Sequence, residues 1–142
     1  MTSFTSRYGN PAVDYKGVHL WAYCRHGATV IAVRGRVDAG NVAQVIDYAA
    51  RFATADTRLV LDLSEVTAFT PRAIDLIDTV DARCAAAGVD WALVPGEAVT
   101  RRLRTRAAEL PILQSLAAAE HQFDEAVLKR RRFLLPLLRR TA

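Results

Sequence analysis

Apolar residues in this chain fall into short runs and helical stripes that alternate along the sequence. Residues 59–63 (LVLDL) form a run too short for a helix and free of Gly and Pro. That is the pattern of a strand buried on both faces, as in the middle of a parallel sheet. Thr70 and Pro71 then predict a helix start. Threonine serves as an N-cap whose hydroxyl takes up backbone N–H groups, and proline suits the first helical position, where its missing N–H costs nothing. The helix is expected over residues 71–87, with Ile74, Ile77, Val80 and Cys84 as its core stripe and Gly88 as its stop. Asp75 and Asp78 share another face near the positive helix N-terminus, where acids are favoured. In open α/β sheets ligands and partners meet the chain at such strand-to-helix corners, so function is expected between Phe69 and Asp75.

The flanking patterns complete the architecture. Residues 1–16 are mixed and polar, with Gly9, Asn10 and Pro11 together, and read as an arm with little regular structure. Residues 18–24 (VHLWAYC) and 28–34 (ATVIAVR) are rich in β-formers, and Arg25-His26-Gly27 between them predicts a hairpin. Asp38 is placed to cap a helix whose inner positions are Val42, Val45, Ile46, Ala49 and Ala53. Residues 90–95 (DWALVP) predict another buried strand. Gly96 and Glu97 open a helix carrying Val99 and Leu103, together with Arg101, Arg102, Arg104 and Arg106. Residues 110–116 (LPILQSL) read as an edge strand, where Pro111 is tolerable. Residues 119–135 read as a last helix with Phe123, Val127 and Leu128 inside, ended by Pro136. Trp21, Trp91, Cys24 and Cys84 are all expected in the core. Strands alternating with helices predict one α/β domain. Its sheet is expected to be mixed but mostly parallel, with four or five strands and about four helices largely on one face.

Composition narrows the class. A chain of 142 residues, 51% hydrophobic and 24% charged, matches a single globular domain. No apolar run approaches the roughly 18–20 residues that span a bilayer. Residues 1–10 lack the apolar core of a secretory signal, and two cysteines make no disulfide framework, so a cytoplasmic setting is expected. The net charge of +4 is uneven: from Arg101 onward ten Lys and Arg face four Asp and Glu. No aromatic residues are interleaved with these arginines to stack bases, which argues against a nucleic-acid partner.

Residue chemistry points away from catalysis. The chain contains no G-x-G-x-x-G, G-x-x-x-x-G-K-[ST], G-x-S-x-G or H-E-x-x-H. His19 and Cys24 lie five positions apart on opposite faces of one strand, and Cys24 and His26 have no further ligands at zinc-like spacing. No enzyme, metal or cofactor is expected.

Three patterns resemble the sulfate-transporter-and-anti-sigma-factor-antagonist (STAS) domain family over residues 17–135, with residues 1–16 left as the arm and 136–142 as a basic tail. Gly35-Arg36-Val37-Asp38 resembles the family's G-x-[LV]-D, and Leu59-Val60-Leu61-Asp62-Leu63-Ser64-Glu65-Val66 resembles its central L-V-L-D-L-S-x-V. Ala86-Ala87-Gly88 before a hydrophobic strand is the third. The resemblance implies a STAS fold and a non-enzymatic, cytoplasmic regulator of transcription. Bacterial single-domain members bind an anti-sigma factor that is also a serine kinase, and phosphorylation of a serine in a D-S-S-G corner breaks that binding. The corner here aligns as Thr70-Pro71-Arg72-Ala73, so all four positions depart and Pro71 stands where the phosphorylated serine would be.

On this resemblance the expected partner is an anti-sigma factor/serine-kinase-like protein, docked on Asp38, Ala39, Gly40, Asn41, Thr70, Pro71, Arg72, Ala73 and Asp75, with a homodimer as a further candidate assembly. Proline has no hydroxyl, so the usual switch is absent, and Thr70 is the one alternative acceptor at the corner. Arg72 adds a fixed positive charge to an already positive helix end, unfavourable by about 0.3–1 kcal/mol at a surface. Either a contact with an acidic partner or anion offsets such a cost, or Arg72 is simply solvated in a member that has lost its switch. The rival readings are an accessory subunit of a membrane-associated lipid-transport ATPase, with the basic segment 129–140 near an anionic membrane, and an anion or nucleotide sensor. The sensor ranks last because the chain offers no glycine-rich cradle.

Overall fold

The computed structural model describes residues 4–5, 11–54, 57–119 and 121–123. Its axis is the strand that the LVLDL run predicts, extended to twelve residues, Arg58–Phe69 (β5). This strand pairs in parallel with Ala28–Val37 (β4) on one side and Trp91–Val94 (β6) on the other. Beyond β4 the ladder turns antiparallel through Val18–Arg25 (β3), Pro11–Tyr15 (β2) and the two-residue Phe4–Thr5 (β1), giving the order β1-β2-β3-β4-β5-β6. Without the short β1 the sheet has the five strands of the upper expectation. The hairpin forms as expected, with His26 (φ 49°) and Gly27 (φ 78°) making its two-residue turn.

The expected arm is corrected. Pro11–Tyr15 is a strand, paired through Val13 with Leu20 and Tyr15 with Val18. Backbone pairing with β3 makes it β, and Pro11 sits at its first position, where a ladder tolerates it. The expected edge strand over 110–116 shrinks to a single parallel bridge, Leu93 with Ile112. Pro111 offers a carbonyl to Leu93 N (2.9 Å) but has no N–H with which to continue a ladder.

Helices Val42–Ala50 (α1) and Ile74–Ala87 (α2) cover one face of the sheet. Ile31, Val33, Leu59, Leu61, Leu63 and Leu93 meet Val45, Ala49, Leu76, Ile77, Val80 and Cys84 there in the main core. A third helix, Gly96–Leu103 (α3), joins that core through Val99 and Leu103. On the opposite face Val30, Val60, Ala92 and Val94 are sealed by Ala119 and Phe123, the second of which takes the inward place expected for it. Val127, Leu128 and the basic segment 129–140 lie outside the described residues.

Ile74 is a correction: it is half-buried, and Leu76 occupies the core instead. The reason is helical phase. Residues Pro71–Ala73 form a 3-10 turn before α2 begins. The buried stripe runs Ala73, Leu76, Ile77, Val80, Cys84, the i, i+3, i+4, i+7, i+11 spacing of one helix face, and Ile74, one position beyond Ala73, stands at its edge. The expected stop holds: Gly88 is left-handed (φ 70°), and Val89 N donates to the Cys84 carbonyl at 2.9 Å.

Two further core assignments fail. Val18, Leu20 and Ala22 point into the core, so alternation leaves Trp21 on the other face, half-buried with the Arg34 guanidinium 5.1 Å from its ring centre. Cys24 has the inward parity but pairs with Thr29 near the hairpin end, and it is exposed. Cys84 is fully buried, and burial, helped by Asp81, pushes its thiol up to about 11. Thiolate is the reactive form. At neutral pH a thiol reagent should therefore label one cysteine rapidly, Cys24, and reach Cys84 only in denaturant; mass spectrometry of the labelled peptides checks this.

Candidate functional site

The site is built where β4 and β5 end. Val37 and Phe69 form the last pair of their ladder, and Thr70 N donates to the Val37 carbonyl at 3.1 Å. The loops leaving the two strands therefore run side by side at the carboxyl end of the parallel sheet. That is the topological position at which open α/β sheets present their sites.

The first loop is held by Asn41, whose side chain is 1% exposed. Its Oδ1 accepts from Asp38 N (3.0 Å), and its Nδ2 donates to the carbonyls of Arg36 (2.7 Å) and Lys16 (3.1 Å). One amide thus ties the end of β4, the β2–β3 turn and the start of α1 together. Without it three backbone groups would lose their partner, each worth about 1–3 kcal/mol when buried. Asp38 does not cap α1 with its carboxylate as expected. Its Oδ1 accepts from Gly40 N (2.9 Å), while its main-chain carbonyl accepts from Val42 N (2.9 Å).

The second loop departs from expectation at Thr70. The residue is extended (φ −77°, ψ 166°) and stands at the N-cap, but its hydroxyl caps nothing. Oγ1 is buried without a hydrogen-bond partner among the described residues. Two of the nearby amides are out of play, since Pro71 has no N–H to offer and Ala73 N is already taken by the Thr70 carbonyl at 3.0 Å. Pro71, Arg72 and Asp75 are exposed, whereas Ala73 is fully buried. No carboxylate pairs with Arg72 among the described residues. Of the nine residues expected at a docking surface, Ala39, Gly40, Pro71, Arg72 and Asp75 present side chains or backbone outward, with Asp38 and Thr70 half-buried. Asn41 and Ala73 are interior, and their role is to hold the loops.

Beside this corner lies a feature that sequence reading missed. An open pocket of about 370 Å³ is lined by Thr67, Ala68, Phe69, Thr70, Ala98 and the arginines 101, 102 and 104. Arg102 Nε donates to the Phe69 carbonyl (2.8 Å), fastening α3 to the end of β5. The sequence shows these arginines only as charges on a short helix; that α3 carries them to Thr70 is a tertiary fact. Arg106, next along, makes a bidentate pair with Asp78, which removes Asp78 from any pairing with Asp75. The imagined metal ligands do not meet. His19 pairs with Asp14, and no group of three His, Cys, Asp or Glu converges among the described residues.

The family model for the STAS domain matches residues 20–122. The chain belongs to the STAS domain family. The fold agrees: an anti-sigma factor antagonist from Mycobacterium paratuberculosis superposes with a TM-score of 0.57 at 20% identity, covering 80% of this chain and 94% of that one. The anti-sigma factor antagonist SpoIIAA, in its unphosphorylated form, gives a TM-score of 0.56 at 11% identity, covering 82% and 98%. By sequence, this STAS chain is 41% identical to "Osmosensory protein A" of Mycobacterium tuberculosis, over 99% of its own length and 92% of the relative's. The described residues contain no helix long and apolar enough to cross a membrane.

Proposed function

We propose that the protein is a non-enzymatic regulatory binding module of the anti-sigma factor antagonist type, working without a phosphoserine at the usual corner. Its partner is an anti-sigma factor/serine-kinase-like protein. The docking surface is formed by Asp38, Ala39 and Gly40 from one loop and Thr70, Pro71, Arg72 and Asp75 from the other. The observation that carries the reading is the corner itself: two adjacent loops at the carboxyl end of the sheet, the second of them exposing Arg72, which pairs with no carboxylate among the described residues. Arginine beside a helix start is electrostatically misplaced, and a carboxylate on the partner offsets that cost through a charge-assisted hydrogen bond. The name of the relative that is 41% identical supports placing this regulation in a response to osmotic conditions.

The test is binding to purified anti-sigma factors of the kinase kind by calorimetry. Arg72→Glu should weaken the complex at least about tenfold, because removing a charge-assisted bond and adding a like charge to the partner's carboxylate act in the same direction. The exposed position makes the variant's folding equal to the parent's. Unchanged affinity in Arg72→Glu would move the docking surface elsewhere.

A further inference from the structure

We infer that the pocket between α3 and the end of β5 binds a soluble phosphate-type dianion, either free phosphate or the monoester of a small organic molecule. This goes beyond the docking reading: the charged residues that hold the ligand, Arg102 and Arg104, take no part in the proposed docking surface, with which the pocket shares Thr70.

Three observations carry it. First, the charges converge without being neutralised. Arg101, Arg102 and Arg104 line one pocket, and no acidic residue lines it with them. Arg101 has a pair outside the pocket, Glu97 at 3.3 Å, but both side chains are largely in solvent, at 72% and 87% exposure, where such pairs contribute little. Neither Arg102 nor Arg104 has a carboxylate partner among the described residues. Second, one guanidinium group is positioned, and a neighbouring arginine stands on an unusual backbone. The bond from Arg102 Nε to the Phe69 carbonyl fixes the plane of that group and leaves both Nη atoms to donate, the fork that matches phosphate oxygens. Arg104 holds a left-handed backbone (φ 48°, ψ −122°) that a side-chain-bearing residue rarely adopts, and such outliers gather at ligand clamps. Third, the Thr70 hydroxyl at the pocket wall has no partner in the folded chain. A small side-chain turn towards the pocket would give it the acceptor it lacks.

The volume of about 370 Å³ exceeds what phosphate alone fills and lies at the lower end of small-molecule pockets. Ala68 and Ala98 give the remaining space an apolar strip, suited to the organic part of an ester. An arginine-lined pocket that was only a solvated basic face would attract anions weakly, without saturation and without discrimination among its arginines.

Calorimetric titration of the whole chain at low ionic strength, in a buffer free of phosphate, decides the matter. The probes are inorganic phosphate and adenosine 5′-monophosphate, with adenosine as the uncharged control. One saturable site is expected for the charged probes and none for adenosine. Tighter binding of the monophosphate assigns an ester; equal binding assigns free phosphate. Arg104→Gly removes the charge while relieving the left-handed backbone, so it should fold at least as well as the parent yet bind about tenfold more weakly. Arg102→Gln should weaken binding similarly, and Arg83→Gln, on the exposed side of α2, should leave it unchanged. The inference is overturned if neither charged probe saturates, or if Arg104→Gly binds as tightly as the parent.

Discussion

Gly35→Ala should lower stability by roughly 3 kcal/mol or more, although the change adds only one methyl group. Gly35 sits near the end of β4, at a register shift in its ladder with β5, with φ at 102°, a conformation that alanine adopts only with strain. A Cβ there would stand 2.4 Å from the Gly17 carbonyl oxygen, which is backbone and has no flexible end to swing away. That same oxygen accepts from Arg36 N at 3.0 Å, so moving the β2–β3 turn aside would break the contact that binds it to β4. The Lys16 carbonyl held by Asn41 lies one residue away, and the disturbance would reach the first loop of the docking surface. With a urea slope of about 1–3 kcal/mol per molar, the unfolding midpoint should fall by about 1 M or more. Gly88→Ala is the comparison: its φ is also positive (70°) but nothing lies within 4 Å of the added carbon. It should cost only the backbone term, about 1 kcal/mol. Equal losses for the two variants would show that the close approach at Gly35 carries no energy.

Leu61→Ala is the second large effect, expected at about 2–5 kcal/mol. Leu61 is fully buried in the middle of β5, level with Ile31 on β4 and Leu93 on β6, which are fully buried as well. Rigid sheet backbone on both sides limits how far the site can collapse around the lost volume, which places the cost towards the upper part of that range. Ile74→Ala should cost much less, about 1–2 kcal/mol, because half-burial removes part of the transfer term. Urea unfolding of the two variants with a common slope measures the difference. A larger loss at Ile74 would mean that its place at the edge of the α2 stripe does not limit what it contributes.

What was legible in the sequence follows from which forces are local. The LVLDL run, the hairpin turn at His26 and Gly27, and the Gly88 stop are each settled within a few residues, and each stands where expected. The strand Pro11–Tyr15 was not legible because its β structure comes from pairing with β3 rather than from its own pattern. Trp21 and Cys24 were misplaced for a related reason: hydrophobicity says that a residue prefers burial, not whether a helix or the chain's end covers that part of the sheet. At the site, the pairing of the loops at Asp38 and Thr70 was expected only through the family resemblance, and the parallel ladder of β4 and β5 gives its physical basis. The idle Thr70 hydroxyl was not legible, because residue type predicts a cap, and only the geometry of the turn shows that the hydroxyl reaches no N–H. The arginine pocket was hidden by distance in sequence. Its arginines are some thirty residues from Thr70 and meet it only because Arg102 bonds the Phe69 carbonyl.

The central claim is that this corner docks a partner without the phosphoserine switch. It is tested most directly by incubating the complex with ATP and Mg²⁺, mapping phosphate by mass spectrometry and following the complex by gel filtration. Phosphorylation would add about −1.5 to −2 charge and drive the partners apart. With proline at position 71 and its neighbouring arginine, the account predicts no phosphate at the corner and a complex that survives ATP. The variant carrying Thr70→Asp, Pro71→Ser, Arg72→Ser and Ala73→Gly together restores the family corner and should become phosphorylated and dissociate. Stoichiometric phosphate on Thr70 of the parent chain, with loss of the complex, would contradict the account.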